Sequence, residues 1–358
     1  MPPRLQELTG RVFRLSPRYE LREGKVPVES VPEGTAALLW PVDGGELPLR
    51  ALDRATVELL RALSEPAPVE RDADALVPLV LDGVLEIEGD DGAMVGGPRA
   101  APAVLETLEV PDPPADDRLG AVSRTAIRQA AAAGLDDPRE LSLWLYLFNR
   151  LPLTRRVAAR WPTDAHVRDE LTRAARGRPF AVVADERGGP WMRLASRPVA
   201  DARHKLYVSP RPEHLVDAFA TTLTVLAGHD CDQLKVGATH AGVLRPDKLV
   251  CYFADRDAVV AAAADLSGAL AGVPAHGAPF TAALTPDGLL SRGRDPRSAT
   301  TPLHPWFDGD SWRLSVCSAL GAAVTHATAA GCELDPATYA LLRVALDGVD
   351  TLTWEPAA

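Results

Sequence analysis

Apolar and polar positions along the chain change period several times, and each change marks an expected element. Thr35–Val42 (TAALLWPV) is an apolar run of strand length, Asp43-Gly44-Gly45 is a turn signal, and Glu46–Leu49 suits a returning strand. From Arg54 the period lengthens. Val57, Leu60 and Leu63 recur at helical spacing behind Asp53, whose short acceptor side chain suits an N-cap. Asp72–Leu81 then sets Leu76, Leu79 and Val80 on one helical face, Gly83 ends that helix, and Val84–Glu88 alternates as a strand. A hairpin, two helices and a closing strand predict a small winged-helix-like unit.

Two stretches lack any period. Gly89–Ala103, extended weakly by Pro111–Asp117, is rich in Gly, Pro and Asp and predicts a domain boundary; Ser291–Thr301 (SRGRDPRSATT) reads as a basic, turn-rich loop. The expected division is a domain over residues 1–100 and a second over 105–358. The second opens with helices over Ser123–Ala133 and Asp137–Arg150, the latter packing Trp144, Leu145 and Phe148 as core residues. Strands follow at Pro179–Val183, Pro190–Ala195 and Lys205–Ser209, then a helix over Val216–Leu226 and two strands within Gln233–Phe253. The predicted class is α+β, with a mainly antiparallel sheet in the larger domain.

Composition narrows the function classes. A formal charge of −11 opposes nucleic-acid binding, which needs clustered cations. No uncharged apolar stretch reaches the ~18 residues of a membrane span, and the first residues lack the apolar core of a signal peptide, so a cytoplasmic location is expected. Cys231, Cys251, Cys317 and Cys332 lie far apart without CxxC spacing, which predicts reduced thiols and no zinc site. No phosphate-binding glycine loop, GxSxG or HExxH pattern occurs, so phosphate chemistry here would concern a phosphorylated substrate made by a separate kinase-like protein.

Candidate chemistry gathers in three pieces: Arg203–Ser209 (RHKLYVS), Gln233–Phe253, and Gly288–Arg297 (GLLSRGRDPR). Lys235 sits between Leu234 and Val236, and Lys205 between His204 and Leu206, so alternation turns each lysine away from its neighbours' face. A single such lysine is commonly just solvent-facing. Two of them with an arginine-rich segment, in an acidic protein, suggest an anion site, where arginine offers paired donors and lysine a point charge or a base. His276 and His304 lie in Pro-rich turns and suggest structural roles.

Lys205-Leu206-Tyr207-Val208-Ser209, then Leu234-Lys235-Val236 and Arg245, resemble the phosphothreonine lyases of the OspF and SpvC effector type. The related lyases of lanthipeptide and thioamitide biosynthesis are similar. The likeness spans roughly Leu105–Thr301. It implies cofactor-free β-elimination of phosphate from phosphoserine or phosphothreonine, with Lys235 on the base, Lys205 on the lysine that steadies carbonyl and phosphate, and Arg245 on a phosphate arginine. Arg292 and either Arg294 or Arg297 fall near the remaining phosphate arginines. The effector enzymes carry a histidine where this chain has Tyr207. Tyr207 is then the acid if neighbouring cations lower its pKa, His240 is the alternative acid, and an ordinary half-buried strand aromatic is the plain reading of Tyr207.

The segments LWPVDGGELPLRALDRATVELLRAL and PLVLDGVLEIE resemble the PqqD-like winged helices that bind leader peptides. That resemblance implies a precursor peptide as partner, docked as an added strand, although a winged helix that merely packs on its neighbour has the same pattern. Together the likenesses imply a precursor-peptide lyase. A non-catalytic binder of the precursor or phosphopeptide, or a cyclase acting on the dehydrated peptide, are the alternatives.

Overall fold

The computed structural model describes residues 3–23, 35–42, 50–70, 72–183, 189–196, 202–296, 311–331 and 333–356. The chain divides into two compact units. One comprises Pro2–Val110 with Ala323–Asp347; the other comprises Pro111–Ala322 with Gly348–Ala358. Residues 323–347 therefore fold with the N-terminal segment, not with the 105–358 domain that the seam suggested. The reason is packing: the Tyr339 hydroxyl donates to the Leu81 carbonyl at 2.7 Å, and Arg343 pairs with Asp82 at 2.9 Å.

The N-terminal unit holds strands β1 (Val12–Leu15), β2 (Tyr19–Glu23), β3 (Ala37–Pro41) and β4 (Arg50–Leu52), helix α1 (Arg54–Ala62) and strand β5 (Ala67–Pro68). Helix α2 (Val77–Leu81), strands β6 (Leu85–Glu88) and β7 (Met94–Val95) and helix α3 (Ala101–Val104) follow. β2, β3 and β4 form one antiparallel sheet and β5, β1, β6 and β7 another. Asp53 caps α1 by accepting from the Thr56 amide at 2.7 Å, and Gly83 ends α2 at φ +72°, a left-handed geometry suited to glycine. The expected turn at Asp43–Gly45 and return strand at Glu46–Leu49 lie outside the described residues; β3 pairs with β4, which begins at Arg50. The first turn of the expected Asp72–Leu81 helix is 3₁₀, over Ala73–Leu76.

The larger unit begins with helices α4 (Arg118–Ala132), α5 (Pro138–Leu147), α6 (Arg155–Arg160) and α7 (Asp164–Ala175). Strands β8 (Ala181–Val183), β9 (Trp191–Ala195) and β10 (His204–Val208), helix α8 (Leu215–Leu226), strand β11 (Cys231–Gly237), helix α9 (His240–Val243), strand β12 (Leu249–Phe253) and helix α10 (Arg256–Ala269) come next. Strands β13 (Ala282–Ala283) and β14 (Leu290–Arg294) and helix α11 (Trp312–Ala330) follow; α12 (Pro336–Leu346) completes the N-terminal unit, and β15 (Val349–Asp350) and β16 (Glu355–Pro356) end the chain. Seven strands form one antiparallel sheet in the order β13-β14-β10-β12-β11-β9-β8. The fold is α+β.

Alternation divides that sheet into two unlike faces. Leu206, Val208, Leu234, Val236, Leu249, Cys251 and Phe253 point to one side, where they bury against α7, α8 and α10 in a continuous apolar core. The other face carries the lysines. The first four residues of the expected basic loop, Ser291–Arg294, belong instead to strand β14, whose Leu290–Arg294 pairs with β10 along its whole length, and residues 297–301 lie outside the described residues. Its arginines escaped a strand reading because Gly293 and the charged positions hide the period. Gly293 is needed there: a Cβ would come within 2.7 Å of the Trp312 ring. Cys231, Cys251 and Cys317 are buried free thiols, and Cys332 is outside the described residues. Among the described residues no helix is long and apolar enough to cross a membrane.

The β11–α9–β12 connection is tight. A Cβ on Gly237 would lie 2.4 Å from the carbonyl carbon of Gly242, a backbone atom that cannot swing aside. Gly237→Val is expected to destabilise the protein by about 1–3 kcal/mol, the usual range for overpacking. A thermal melt that matched the unsubstituted protein would show that this approach is not close.

Candidate active site

Strand register builds the site. Tyr207 lies opposite Val250 and Ser291, Val250 opposite Lys235, and Lys235 opposite Arg193. In the neighbouring row, Lys205 faces Tyr252 and Gly293, and Tyr252 faces Gln233. Lys205, Tyr207 and Lys235 therefore share the face turned away from the helical core, as alternation in the sequence requires. His204 shares a strand position with Arg294 and Phe253, on the opposite face.

The sequence did not mark Asp247, yet it is the centre of the arrangement. Arg245 donates to it from Nε and Nη2, both at 2.8 Å, in a two-pronged pair. Arg313, from the first turn of α11, adds an Nη1 contact at 2.9 Å, and the Tyr146 hydroxyl donates at 3.3 Å. Arg313 is 1% exposed; its remaining donors reach the Pro279 and Tyr146 carbonyls, each at 2.9 Å. Burial opposes ionisation of Asp247, but Arg245 and Arg313 outweigh it and hold the carboxyl well below the usual range. Burial likewise opposes the Arg245 charge, and the Asp247 carboxylate more than offsets it.

Aromatic rings separate the cations. Lys235 Nζ stands 4.7 Å from the Trp191 ring centre and 5.8 Å from that of Tyr252. Arg245 lies 5.3 Å from Trp191 and 4.9 Å from Tyr146, and Lys205 lies 5.2 Å from Tyr252. Each such contact contributes about 0.5–2 kcal/mol, more as water is excluded. Lys205 is 4% exposed and forms an ion pair with Asp295 at 2.5 Å. Among the described residues, no carboxylate stands within ion-pair distance of Lys235. Burial lowers its pKa; Tyr146 and Asp247 raise it, while Arg245 and Arg193 lower it further, and the net direction is down.

Three expectations change. Tyr207 is buried, and burial, reinforced by Asp295, pushes its pKa well above the ordinary phenol value, so cations do not make it a stronger acid. His240 is drawn off the site: its Nε2 meets the Trp161 carbonyl at 2.6 Å and its Nδ1 meets Asp164 at 2.8 Å, both on the segment from α6 into α7 that packs on the core face. Arg292 pairs in register with Leu206, and Arg294 with His204, which puts both on the core face; Arg292 forms an ion pair with Glu355. Arg297 and His304 lie outside the described residues. His276 is buried with Lys248 Nζ 2.6 Å from its Nδ1 and the Asn149 carbonyl at its Nε2, a structural role that matches its Pro-rich setting.

The second arginine of the site is thus Arg313, which no local signal marks as functional. Tyr252 and Trp191 were visible only as strand aromatics. Asp247 stood within the quoted segment, two residues from Arg245, but nothing short-range says that a carboxylate so placed will be buried.

No family model matches the chain, and no curated protein is similar to it at a significant level. Solved structures give distant likenesses. An effector protein from Pseudomonas syringae pv. syringae strain 61 matches at 15% identity and TM-score 0.45, over 67% of this chain and 100% of its own. An effector from Pseudomonas syringae pv. tomato strain DC3000 matches at 12% and 0.44, over 66% of this chain and 98% of its own. A phosphothreonine lyase matches at 11% and 0.29, over 48% and 86%. At these values the likenesses bear on neither activity nor substrate, which rest on the residues themselves.

Asp247→Asn leaves Arg313 and Arg245 without their shared counter-charge in a buried setting. It is expected to cost about 3–5 kcal/mol, as removal of one partner of a buried ion pair does. Chemical denaturation would read this directly, and a loss below about 1 kcal/mol would show that the carboxylate is not the anchor.

Proposed function

We propose that the protein is a lyase that eliminates phosphate from phosphorylated Ser or Thr of a ribosomal precursor peptide. The product is a dehydroamino acid, as in lanthipeptide- or thioamitide-like natural-product biosynthesis. The observation that carries this reading is Lys235. It is a half-buried lysine without a carboxylate partner among the described residues, its pKa lowered, and it shares the Trp191 ring with Arg245. A Cα proton is weakly acidic, so its removal needs a free amine beside groups that stabilise negative charge.

In this scheme Lys235 takes the Cα proton, the Cα–Cβ double bond forms, and the Cβ–O bond breaks with its electron pair leaving on phosphate. Arg245, held by Asp247, supplies guanidinium charge to the phosphate oxygens, and Arg313, buried on the same carboxylate, adds its positive charge without touching them. Lys205 steadies the phosphate, and the carbonyl oxygen as charge develops there. The leaving oxygen becomes strongly basic as its bond to carbon breaks, so a phenol with a raised pKa still suffices as donor, and Tyr207 takes that role. The scheme uses no cofactor, and the phosphate comes from a separate kinase-like partner. Arg292 and Arg294 are placed outside it. The winged-helix-like segment over residues 1–100 holds the leader of the precursor, and the reaction takes place in the cytoplasm.

Incubation with a phosphothreonine peptide should release phosphoric acid, visible as a mass loss, and Lys235→Ala should slow this by about 10²–10⁴-fold. The rate should rise with pH until Lys235 is deprotonated, levelling off below the ordinary lysine value because its pKa is lowered. Binding of the peptide without elimination, weakened by Lys235→Ala, would instead establish the protein as a non-catalytic partner; activity only on dehydrated peptide would make it a cyclase. A precursor carrying its leader should be processed at a lower KM than the same core peptide alone. Equal KM values would remove the leader-binding role.

A further inference from the structure

Asp295 has no part in the elimination scheme, yet it stands within it. It follows β14 by one residue, and its amide donates to the Arg203 carbonyl at 2.9 Å, which continues the ladder with β10. Alternation from Gly293 returns its side chain to the site face. There Oδ2 meets Lys205 Nζ at 2.5 Å, while Oδ1 accepts from the amide of Trp312, the first residue of α11, at 2.8 Å. Burial raises the pKa of Tyr207 and of Tyr252, and the Asp295 charge adds to each.

The partners differ in kind. Asp247 is 6% exposed in its side chain and locked by two arginines and a tyrosine. Asp295 is 17% exposed in its side chain, and among the described residues it meets one lysine and one neutral backbone amide. One carboxylate is an anchor, whereas the other occupies the place on Lys205 that an oxygen of the substrate would need.

We infer that Asp295 is a positioning residue that holds Lys205 in reserve: its carboxylate stands on the lysine as an internal counter-anion, which a phosphorylated substrate displaces. The inference rests on the proposed function for its substrate, but the exchange itself concerns only an anion and Lys205. Binding then carries a cost for anions that cannot outcompete the internal carboxylate, which favours a doubly charged phosphate over singly charged anions. The displaced carboxylate keeps its tie to Trp312, so the exchange bears on the first turn of α11, from which Arg313 reaches Asp247.

The test is Asp295→Asn in the full chain, with inorganic phosphate as probe and isothermal titration as readout. Asparagine keeps an acceptor for the Trp312 amide but abandons the charge. If it unfolds the protein, Asp295→Ser, with a shorter acceptor, replaces it. Phosphate should bind three- to tenfold more tightly to the variant, and adding Lys205→Met should abolish that gain. Unchanged or weaker phosphate binding in the folded variant would overturn the inference. So would a gain that survives Lys205→Met, or the absence of phosphate binding by both proteins. Because no turnover is read, the two proposals fail separately: a chain without lyase activity that still shows the Lys205-dependent gain refutes only the elimination scheme, and an active lyase without the gain refutes only the role of Asp295.

Discussion

The buried Asp247 carboxylate is the interaction on which the site depends. An arginine at 1% exposure cannot remain charged in an apolar setting without a counter-charge and hydrogen bonds, and Asp247 with two backbone carbonyls supplies both to Arg313. The same carboxylate fixes Arg245 in a two-pronged pair, so two guanidinium groups are held near one another with only one negative charge between them. That residual positive charge is what the proposed phosphate site rests on. Lys235 is pushed toward the free amine chiefly by burial, with Arg245 and Arg193 adding to it, although Tyr146 and Asp247 pull the other way.

The sheet makes this arrangement possible by separating two solvents within one layer. Its core face is sealed by α7, α8 and α10 and carries no charge that the site needs. Its other face collects cations from β10, β11 and α11, interleaved with Trp191, Tyr252 and Tyr146. The rings act as spacers of low polarity that tolerate positive charge on their faces. Like charges can therefore stand close without each needing its own carboxylate.

Charge is distributed unequally across the face. Lys205 is neutralised by a carboxylate that also engages a helix terminus, whereas Lys235 faces only rings and other cations among the described residues. Of two lysines that look alike in sequence, one is thus held by a carboxylate, and the other lies against aromatic rings with its pKa lowered, chiefly by burial. The difference lies in residues 295 and 191, neither of which is adjacent in sequence to the lysine it serves.

Much of this was legible in the chain. The α+β class, the strands carrying Lys205 and Lys235, the helix capped by Asp53 and the shared face of Lys205, Tyr207 and Lys235 all follow from period and alternation, which are local properties of the backbone. Tertiary structure alone decided which arginines gather at Asp247 and which do not. Arg292 and Arg294 looked apt because they cluster in sequence, but a strand of alternating residues sent both to the core face, while Arg313 arrived from a helix 68 residues beyond Arg245. It also decided that Tyr207 is buried, that His240 is tied to Trp161 and Asp164, and that residues 323–347 fold with the N-terminal unit. Alternation tells which way a side chain points; only long-range packing tells what it meets there.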